Sequence, residues 1–438
     1  MGNNKLGTMK PLRLVLSMAL PIMLSMSLQA VYNIADSLFI AKYSEEAFAG
    51  VSIIQPLFLA VLALGNGIAA GEGSLLSKCL GERNDKRAVS SVGTAWTIAM
   101  ISATVSSLFV ILINRSFVEY FLDGDFAISE AVRYLYVVAL SFPFVFVASL
   151  ISFILQSHGM SKSSMVIQSS GAIVNIILDP IFIFTLDMGA FGAGLATAIG
   201  FSLSAIIALI LYFKSKCTKS RFSFSALDGK RIFQIALPSM LAQAAGPIVG
   251  VVLNKLIVSY GIGVMAVYGM YIKMESFMFL AASGIGSALI VIVGYNYGMG
   301  DYKRVKKCFF TSLALSWSVM ILGFIFFQLF SPWLVSVFTE DAELIALGTR
   351  AFRSLCFCFL LTSPNIIMTG LLQGLGLGTK SLKITYSRFF IFLIPLAFLL
   401  NYLWGINGLW FAYFAADVPT VFLLIKIFKN VNREYLSN

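Results

Sequence analysis

The sequence predicts an all-α integral membrane protein with twelve transmembrane helices in two six-helix lobes, related by a parallel pseudo-two-fold repeat. Three observations carry this prediction. Of 438 residues, 59% are hydrophobic and 12% charged, and mean hydropathy is +0.90, whereas a soluble domain averages roughly 25% charged. Apolar runs near the ~20 residues needed to cross a bilayer recur along the chain, with charges clustered between them. The pattern also repeats at a fixed offset. Little length is left for a soluble domain, so the core is the helix bundle itself.

The spans read as 14–40, 51–77, 91–113, 133–157, 164–186, 191–213, 232–258, 264–289, 309–330, 350–374, 384–403 and 407–428. The formal net charge of +11 would raise nucleic acid as a partner in a soluble protein. Here the charges sort by loop. Basic residues crowd the N-terminus (Lys5, Lys10, Arg13) and alternate loops: Lys78, Arg83, Lys86 and Arg87; Lys162; Lys214 to Arg231; Lys303, Arg304, Lys306 and Lys307; Lys380, Lys383 and Arg388. Lys426, Lys429 and Arg433 add to that side. The opposite loops hold Lys42, Arg115, Arg133, Arg350 and Arg353, with acids such as Asp123, Asp125, Glu340 and Asp341. The positive-inside rule then predicts a multi-pass protein of the inner (cytoplasmic) cell membrane with both termini cytoplasmic. Cys79, Cys217, Cys308, Cys356 and Cys358 offer no outer-loop pair, so no disulfide is expected. The first apolar stretch is too long for a cleavable signal and reads as a span. Position 6 lacks the Ser or Thr of a myristoylation signal.

The repeat keeps one register throughout. ALPIML at 19–24 returns as ALPSML at 236–241, Lys86-Arg87 as Lys303-Arg304, and Leu155, Gln156 and Gly159 as Leu372, Gln373 and Gly376. Gly67 and Gly81 return as Gly284 and Gly298. Constant spacing across separated anchors is the mark of an internal repeat. Six spans per unit make the repeat parallel, about an axis along the membrane normal. The boundaries are a first lobe over 1–213, a polar linker over 214–231 and a second lobe over 232–438. Pro21 and Pro238 match in the first helix of each half. Proline removes a helix hydrogen bond, so each is either a static kink or a bending element.

Few acids lie inside spans: Asp36, Glu72, Asp179, Glu275 and Asp417. Burying one costs at least a few kcal/mol, so each needs a partner or a task. Asp36 and Asp179 each lie about seven residues, or roughly 10 Å, from the outer ends of spans one and five. Thr197 is equally deep in span six. Asn33 and Asn175 precede the acids by three and four residues and can share their helix faces. Two carboxylates, two amides and a hydroxyl suit a shared proton or a small hard cation, and close carboxylates favour holding a proton. Pro180 can free a carbonyl as a further ligand. The alternative is a purely structural hydrogen-bonded cluster. Against it, Leu253 and Leu396 occupy the repeat-equivalent positions.

The remaining charges are less telling. Lys273 and Glu275 in span eight and Lys255 in span seven allow a structural Lys–Glu pair or a role in substrate or proton traffic. Glu72 reads as close to the water interface, His158 as a solvated loop residue, and Asp417 has no assigned place. One histidine argues against a transition-metal site. There is no HExxH or GxSxG, and Gly374 to Lys380 lacks the Walker A spacing. Gly67xxxGly71 and Gly246xxxGly250 mark close helix packing. Neither an enzyme constellation nor an ATPase domain is visible, so energy comes from an ion gradient or a partner.

Four segments resemble the multidrug and toxic compound extrusion (MATE) family, in its DinF/MepA-like bacterial branch: ALP with NIAD in span one, LGERNDKRA after span two, VNIILDPIFIF with GAGLATAIG in spans five and six, and YNYGMGDYKRVKK after span eight. The resemblance runs over essentially the whole length. It implies an antiporter in which amphipathic, often cationic, drugs leave as H+ or Na+ enters. It also implies a cation-coupling site at Asp36, Asn175, Asp179 and Thr197, with Na+ as an alternative occupant there, and helix bending at Pro21; the residue pattern adds Asn33 to the coupling site and Pro180 as a second hinge. Some members place acids in helices seven and ten. Here those positions offer Lys255 and no acid, which favours the first lobe. Substrate contacts are expected from Asp36, Tyr32, Gln55, Phe58, Lys273 and Glu275, in a largely apolar and aromatic cavity. No cofactor beyond H+ or Na+, no nucleic acid and no ATPase subunit is expected; the partners are small organic cations or drugs and the lipid bilayer, and the protein is expected as a monomer. The alternative is a flippase for a lipid-linked precursor, which would need a strongly basic cavity. A scaffolding protein would not need buried acids at matched depth.

Overall fold

The computed structural model describes residues 5–122 and 124–437; Asp123, named above among the outer-loop acids, lies outside them. A short helix, Lys5–Thr8, precedes the first span. The spans are α1 (Pro11–Tyr43), α2 (Glu45–Gly81), α3 (Asp85–Phe121), α4 (Asp125–Ser157), α5 (Ser161–Thr185), α6 (Gly189–Lys214), α7 (Ala226–Val258), α8 (Ile262–Gly298), α9 (Tyr302–Ser336) and α10 (Ala342–Gly374). The last helical stretch, Gly378–Tyr435, is 58 residues long. A straight helix of that length would run about 87 Å, nearly three times the ~30 Å hydrocarbon core. Gly405 divides it, at φ 60° and ψ −143°, a conformation open to glycine. The two parts are α11 (378–404) and α12 (406–435), which completes the twelve.

Local chemistry sets the helix starts. Ser44 accepts a hydrogen bond from the Ala47 amide, with Glu45 and Glu46 in the first turn of α2. Asn84 caps α3 by accepting from the Arg87 amide. Asp301, its repeat mate, caps α9 by accepting from the Arg304 amide. Several helices outrun the apolar spans. The 37 residues of α2 correspond to about 55 Å, so its ends pass into the interfacial region.

Three apolar cores hold the bundle. One is built by the first lobe, with Ile232 and Ala236 of α7 joining it. A second lies wholly in the second lobe. The third joins Leu14, Val15, Met18 and Ile22 of α1 to α8, α9 and α10. Each half therefore receives the start of the other half's first helix.

That exchange seals one end of the interface between the lobes. A Cβ on Gly67 would lie 2.7 Å from the Ala236 carbonyl oxygen, and one on Gly71 2.7 Å from that of Ile232. A Cβ on Gly81 would collide with the Tyr295 carbonyl, and one on Gly298 with the Lys78 carbonyl. Residues 78 and 295 are repeat mates, as are 81 and 298, so α2 and α8 cross on the pseudo-two-fold. Gly246 and Gly250 behave differently: nothing lies within 4 Å of either. Their spacing marks no helix contact here, because α7 leaves α2 before reaching them. Arg87 reaches Asp228 at the start of α7, Nε to Oδ1 3.7 Å. Its repeat mate Arg304 donates from Nη2 to the carbonyls of Met9 at 2.5 Å and Leu6 at 3.2 Å, ahead of α1.

Candidate functional site

Above the sealed end the lobes enclose a cavity of about 620 Å³, within the usual range for small-molecule sites. The first lobe lines it with Gln29, Tyr32, Asn33, Asn66, Asn175 and Thr197, among others. Gln29 donates to Gln168 at 3.3 Å, joining α1 to α5.

Behind that wall lie the two acids. Asp36 is 5% and Asp179 0% exposed, and the two carboxyls interact electrostatically. No salt bridge among the described residues reaches either one. Asp36 Oδ1 is enclosed without a hydrogen-bond partner. The Asn175 amide satisfies its neighbours with nitrogen toward the acid: Nδ2 donates to Asp179 Oδ2 at 3.1 Å, and Oδ1 accepts from the Thr197 hydroxyl at 3.1 Å. Asn175 and Thr197 thus touch both the cavity and the acid layer. Pro180 ends the α-helical part of α5, and a π-helical turn, Ile181–Thr185, follows; such turns shift a helix face by a fraction of a turn. Pro21 is buried within α1.

The structure therefore brings together Asp36, Asp179, Asn175 and Thr197. Asn33 lines the cavity wall, as Asn175 and Thr197 do. Tyr32 also lines the cavity and senses both acids electrostatically. Tyr134 of α4, which sequence reasoning passed over, is buried and lies within electrostatic reach of the same two acids; no motif or spacing marks it. With no salt-bridge partner among the described residues, full charge on both carboxylates is costly in a membrane interior.

Several expected residues lie elsewhere. Gln55 and Phe58 are outside the cavity; Phe58 stacks on Phe142 and Phe201 at 6.3 and 6.2 Å. Lys255 and Lys273 are exposed at the protein surface, and among the described residues no salt bridge joins either to Glu275. Glu275 instead accepts from the Tyr271 hydroxyl at 3.3 Å and the Cys358 thiol at 3.7 Å. Glu72 is 0% exposed, held by the Ser91 hydroxyl of α3 at 3.1 Å. His158 is held rather than solvated: Nδ1–H donates to the Ile154 carbonyl at 2.9 Å, and Nε2 accepts from the Thr218 amide at 3.1 Å.

The largest correction concerns Arg388. It does not belong with the loop basics. It sits on a π-helical turn of α11, Ser387–Leu393, and lines the cavity. Its Nε donates to Asp417 Oδ1 at 2.5 Å and its Nη2 to Asp417 Oδ2 at 3.2 Å and to the Thr362 hydroxyl at 2.9 Å. That hydroxyl donates to Asp417 Oδ2 at 2.7 Å. The cavity is also less aromatic than composition implied: amides and hydroxyls make up much of its wall.

A protein-family model, MatE, matches residues 21–181 and again 238–399. The chain belongs to the MatE family. The two matches start at repeat-equivalent prolines, Pro21 and Pro238. The chain is 26% identical over 426 residues to the multidrug export protein MepA of Staphylococcus haemolyticus, covering 93% of this chain and 91% of that one. It is 27% identical over 412 residues to MepA of Staphylococcus aureus strain MSSA476, covering 91% and 89%. Its fold matches a solved outward-facing conformation of a multidrug resistance MATE family transporter of the MOP superfamily. There the TM-score is 0.93, with 22% identity and 100% and 99% of the two chains covered. MatE proteins are transporters rather than enzymes, and this chain carries their two-lobed, twelve-helix fold.

Proposed function

We propose that this MatE protein is an antiporter that exports amphipathic organic compounds, many of them cationic, as H+ or Na+ enters. The observation that carries the reading is the buried pair Asp36–Asp179, which has no basic partner and sits one residue layer from the cavity through Asn175 and Thr197. An ion or proton arriving there neutralises the pair. Helix α1, with Pro21 in its inner half, then repacks against the first lobe, and the cavity changes. Drug and ion compete for one lobe, so leakage of either alone is limited.

The lobes touch at the end carrying Lys78, Arg87 and Arg304. With basic loops on the cytoplasmic side, both termini are cytoplasmic and the cavity faces outward in this conformation. Alternating access then requires the α2–α8 crossing to open. The relatives called multidrug export proteins support the substrate class. A flippase for a pyrophosphate-linked lipid fits less well, because the cavity wall supplies one basic residue, Arg388.

The test is efflux of a cationic dye from membrane vesicles under separately imposed H+ and Na+ gradients. Dye movement driven by either gradient is expected. Dye movement indifferent to both gradients would refute the coupling.

A further inference from the structure

Among the described residues lining the cavity, Arg388 is the only formally charged one. The neighbouring wall hydrogen-bonds without charge: Thr385, one turn earlier on α11, with Asn365 of α10, one turn from Thr362. The guanidinium is fixed rather than free. Asp417 and Thr362 hold Nε and Nη2, while Nη1 makes no hydrogen bond among the described residues and is not among the enclosed, unpartnered atoms. The Phe389 ring lies 5.1 Å from its central carbon. This is a preorganised cationic donor with one arm left over. Charge-assisted hydrogen bonds to a carboxylate are the strong ones, and a donor locked by its neighbours loses little entropy on binding.

We propose that Arg388 docks an acidic group of the exported compound, so that favoured substrates are amphoteric. A carboxylate meets Nη1 and Thr385 on the second lobe, and a cationic group faces the acid layer of the first. This deepens the exporter reading and rests on it. The paired Asp417 compensates the buried charge, so Arg388 can stay in a membrane interior between substrates. Glu275 lies within electrostatic reach of Arg388 and opposes an incoming anion.

The experiment measures binding of a carboxy-rhodamine and its methyl ester, by fluorescence anisotropy, to the purified full chain in lipid nanodiscs. The dyes share one ring system and one cationic group and differ in the free carboxylate. The acid is expected to bind about tenfold more tightly than the ester, the scale of one charge-assisted hydrogen bond. Arg388→Gln should bring the two affinities together by weakening the acid alone. Because that variant leaves Asp417 unpaired, Arg388→Gln with Asp417→Asn removes both charges and keeps the shape; it should behave the same way. Glu275→Gln should tighten the acid and leave the ester unchanged. Equal affinity for both dyes in the wild type, or parallel loss of both in the double variant, overturns the proposal. Binding as predicted, with neither dye exported under an imposed gradient, would defeat the exporter reading and leave the Arg388 assignment standing.

Discussion

The first lobe buries two acids together without a base, and the second pairs its buried arginine with an acid. In the first, Asp36 and Asp179 share a buried layer without a basic residue. In the second, the repeat-equivalent positions are Leu253 and Leu396, and both pack into that lobe's apolar core. Conversely, Arg388 and Asp417 bridge α11 to α12. Their counterparts, Gly171 and Gly200, bring α5 and α6 into backbone contact: a Cβ on Gly171 would lie 2.6 Å from the Gly200 carbonyl oxygen. One fold thus joins its last two helices by close glycine packing in one lobe and by an ion pair in the other. Neither polar cluster is needed by the architecture, since the sister lobe manages without it. That asymmetry is what the proposed roles, the first cluster for the ion and the second for the substrate, rest on.

The sharpest way to break this comparison is to make the first lobe as neutral as the second. Asp36→Asn and Asp179→Asn keep shape and hydrogen-bonding capacity. Each should reduce gradient-driven dye efflux to background, a loss of about 100-fold or more, while expression and thermal stability hold. The double variant should be little worse than either, as for residues acting as a unit. Robust gradient-dependent efflux in Asp36→Asn would move the coupling site to Glu275 and Asp417.

The second lobe should respond in stability instead. Removing one partner of a buried ion pair costs about 3–5 kcal/mol, while removing both is far milder. Asp417→Asn alone should therefore lower the thermal midpoint strongly, and Arg388→Gln with Asp417→Asn should recover most of it. A double variant as unstable as the single would show that the pair is not a closed unit.

The twelve helices were legible because apolar runs and basic loops are one-dimensional signals, and the break at Gly405 falls between the last two predicted spans. Asp36, Asp179, Asn175 and Thr197 could be brought to one layer by counting depth from helix ends. Arg388 could not. It follows Lys380 and Lys383 so closely that it reads with them, and a π-helical turn re-aims it inward. Its partner, Asp417, is on another helix, and no local spacing links the two. Glu275 suggested an ion pair with a lysine of the adjacent helix, yet Lys255 is exposed and Glu275 is held by Tyr271 and Cys358. The lobe interface was half legible: glycine spacing marked α2, but the same spacing in α7 touches nothing.

The crossing of α2 and α8 gives a third, smaller test. Gly81→Ala and Gly298→Ala place equivalent methyl groups against equivalent carbonyls. By symmetry both should push the lobes apart at the basic end, each at about 1–3 kcal/mol of overpacking strain. A Cys substituted at Ser77, beside Gly294 in the same seam, should be labelled by a maleimide several-fold faster in either variant. Acceleration in only one would show that the pseudo-two-fold is geometric but not energetic.

The smallest expected effect contrasts His158 with Leu375, its repeat mate. Both follow the last turn of an equivalent helix, and Leu375 simply packs, 7% exposed. His158 works as a neutral clamp. Its Nδ1–H donates to Ile154, which leaves the Nε2 lone pair to accept the Thr218 amide of the linker. Protonation would put a second N–H at Nε2, facing that amide, and only the Thr218 hydroxyl, 3.2 Å away, could still accept from it, so the clamp would weaken. Burial accordingly lowers the His158 pKa below its ordinary 6.5. The unfolded chain binds the proton more readily, so stability rises with pH between the lowered folded value and the unfolded one, and falls as pH drops through that window. The slope cannot exceed about 1.4 kcal/mol per pH unit for one proton. Thermal midpoints measured from pH 7.5 down to about 5 should therefore fall less steeply in His158→Gln than in the wild type. Leu375→Ala, which titrates nothing, should shift the curve down without changing its slope. Parallel pH curves for wild type and His158→Gln would show that the linker clamp contributes no pH dependence.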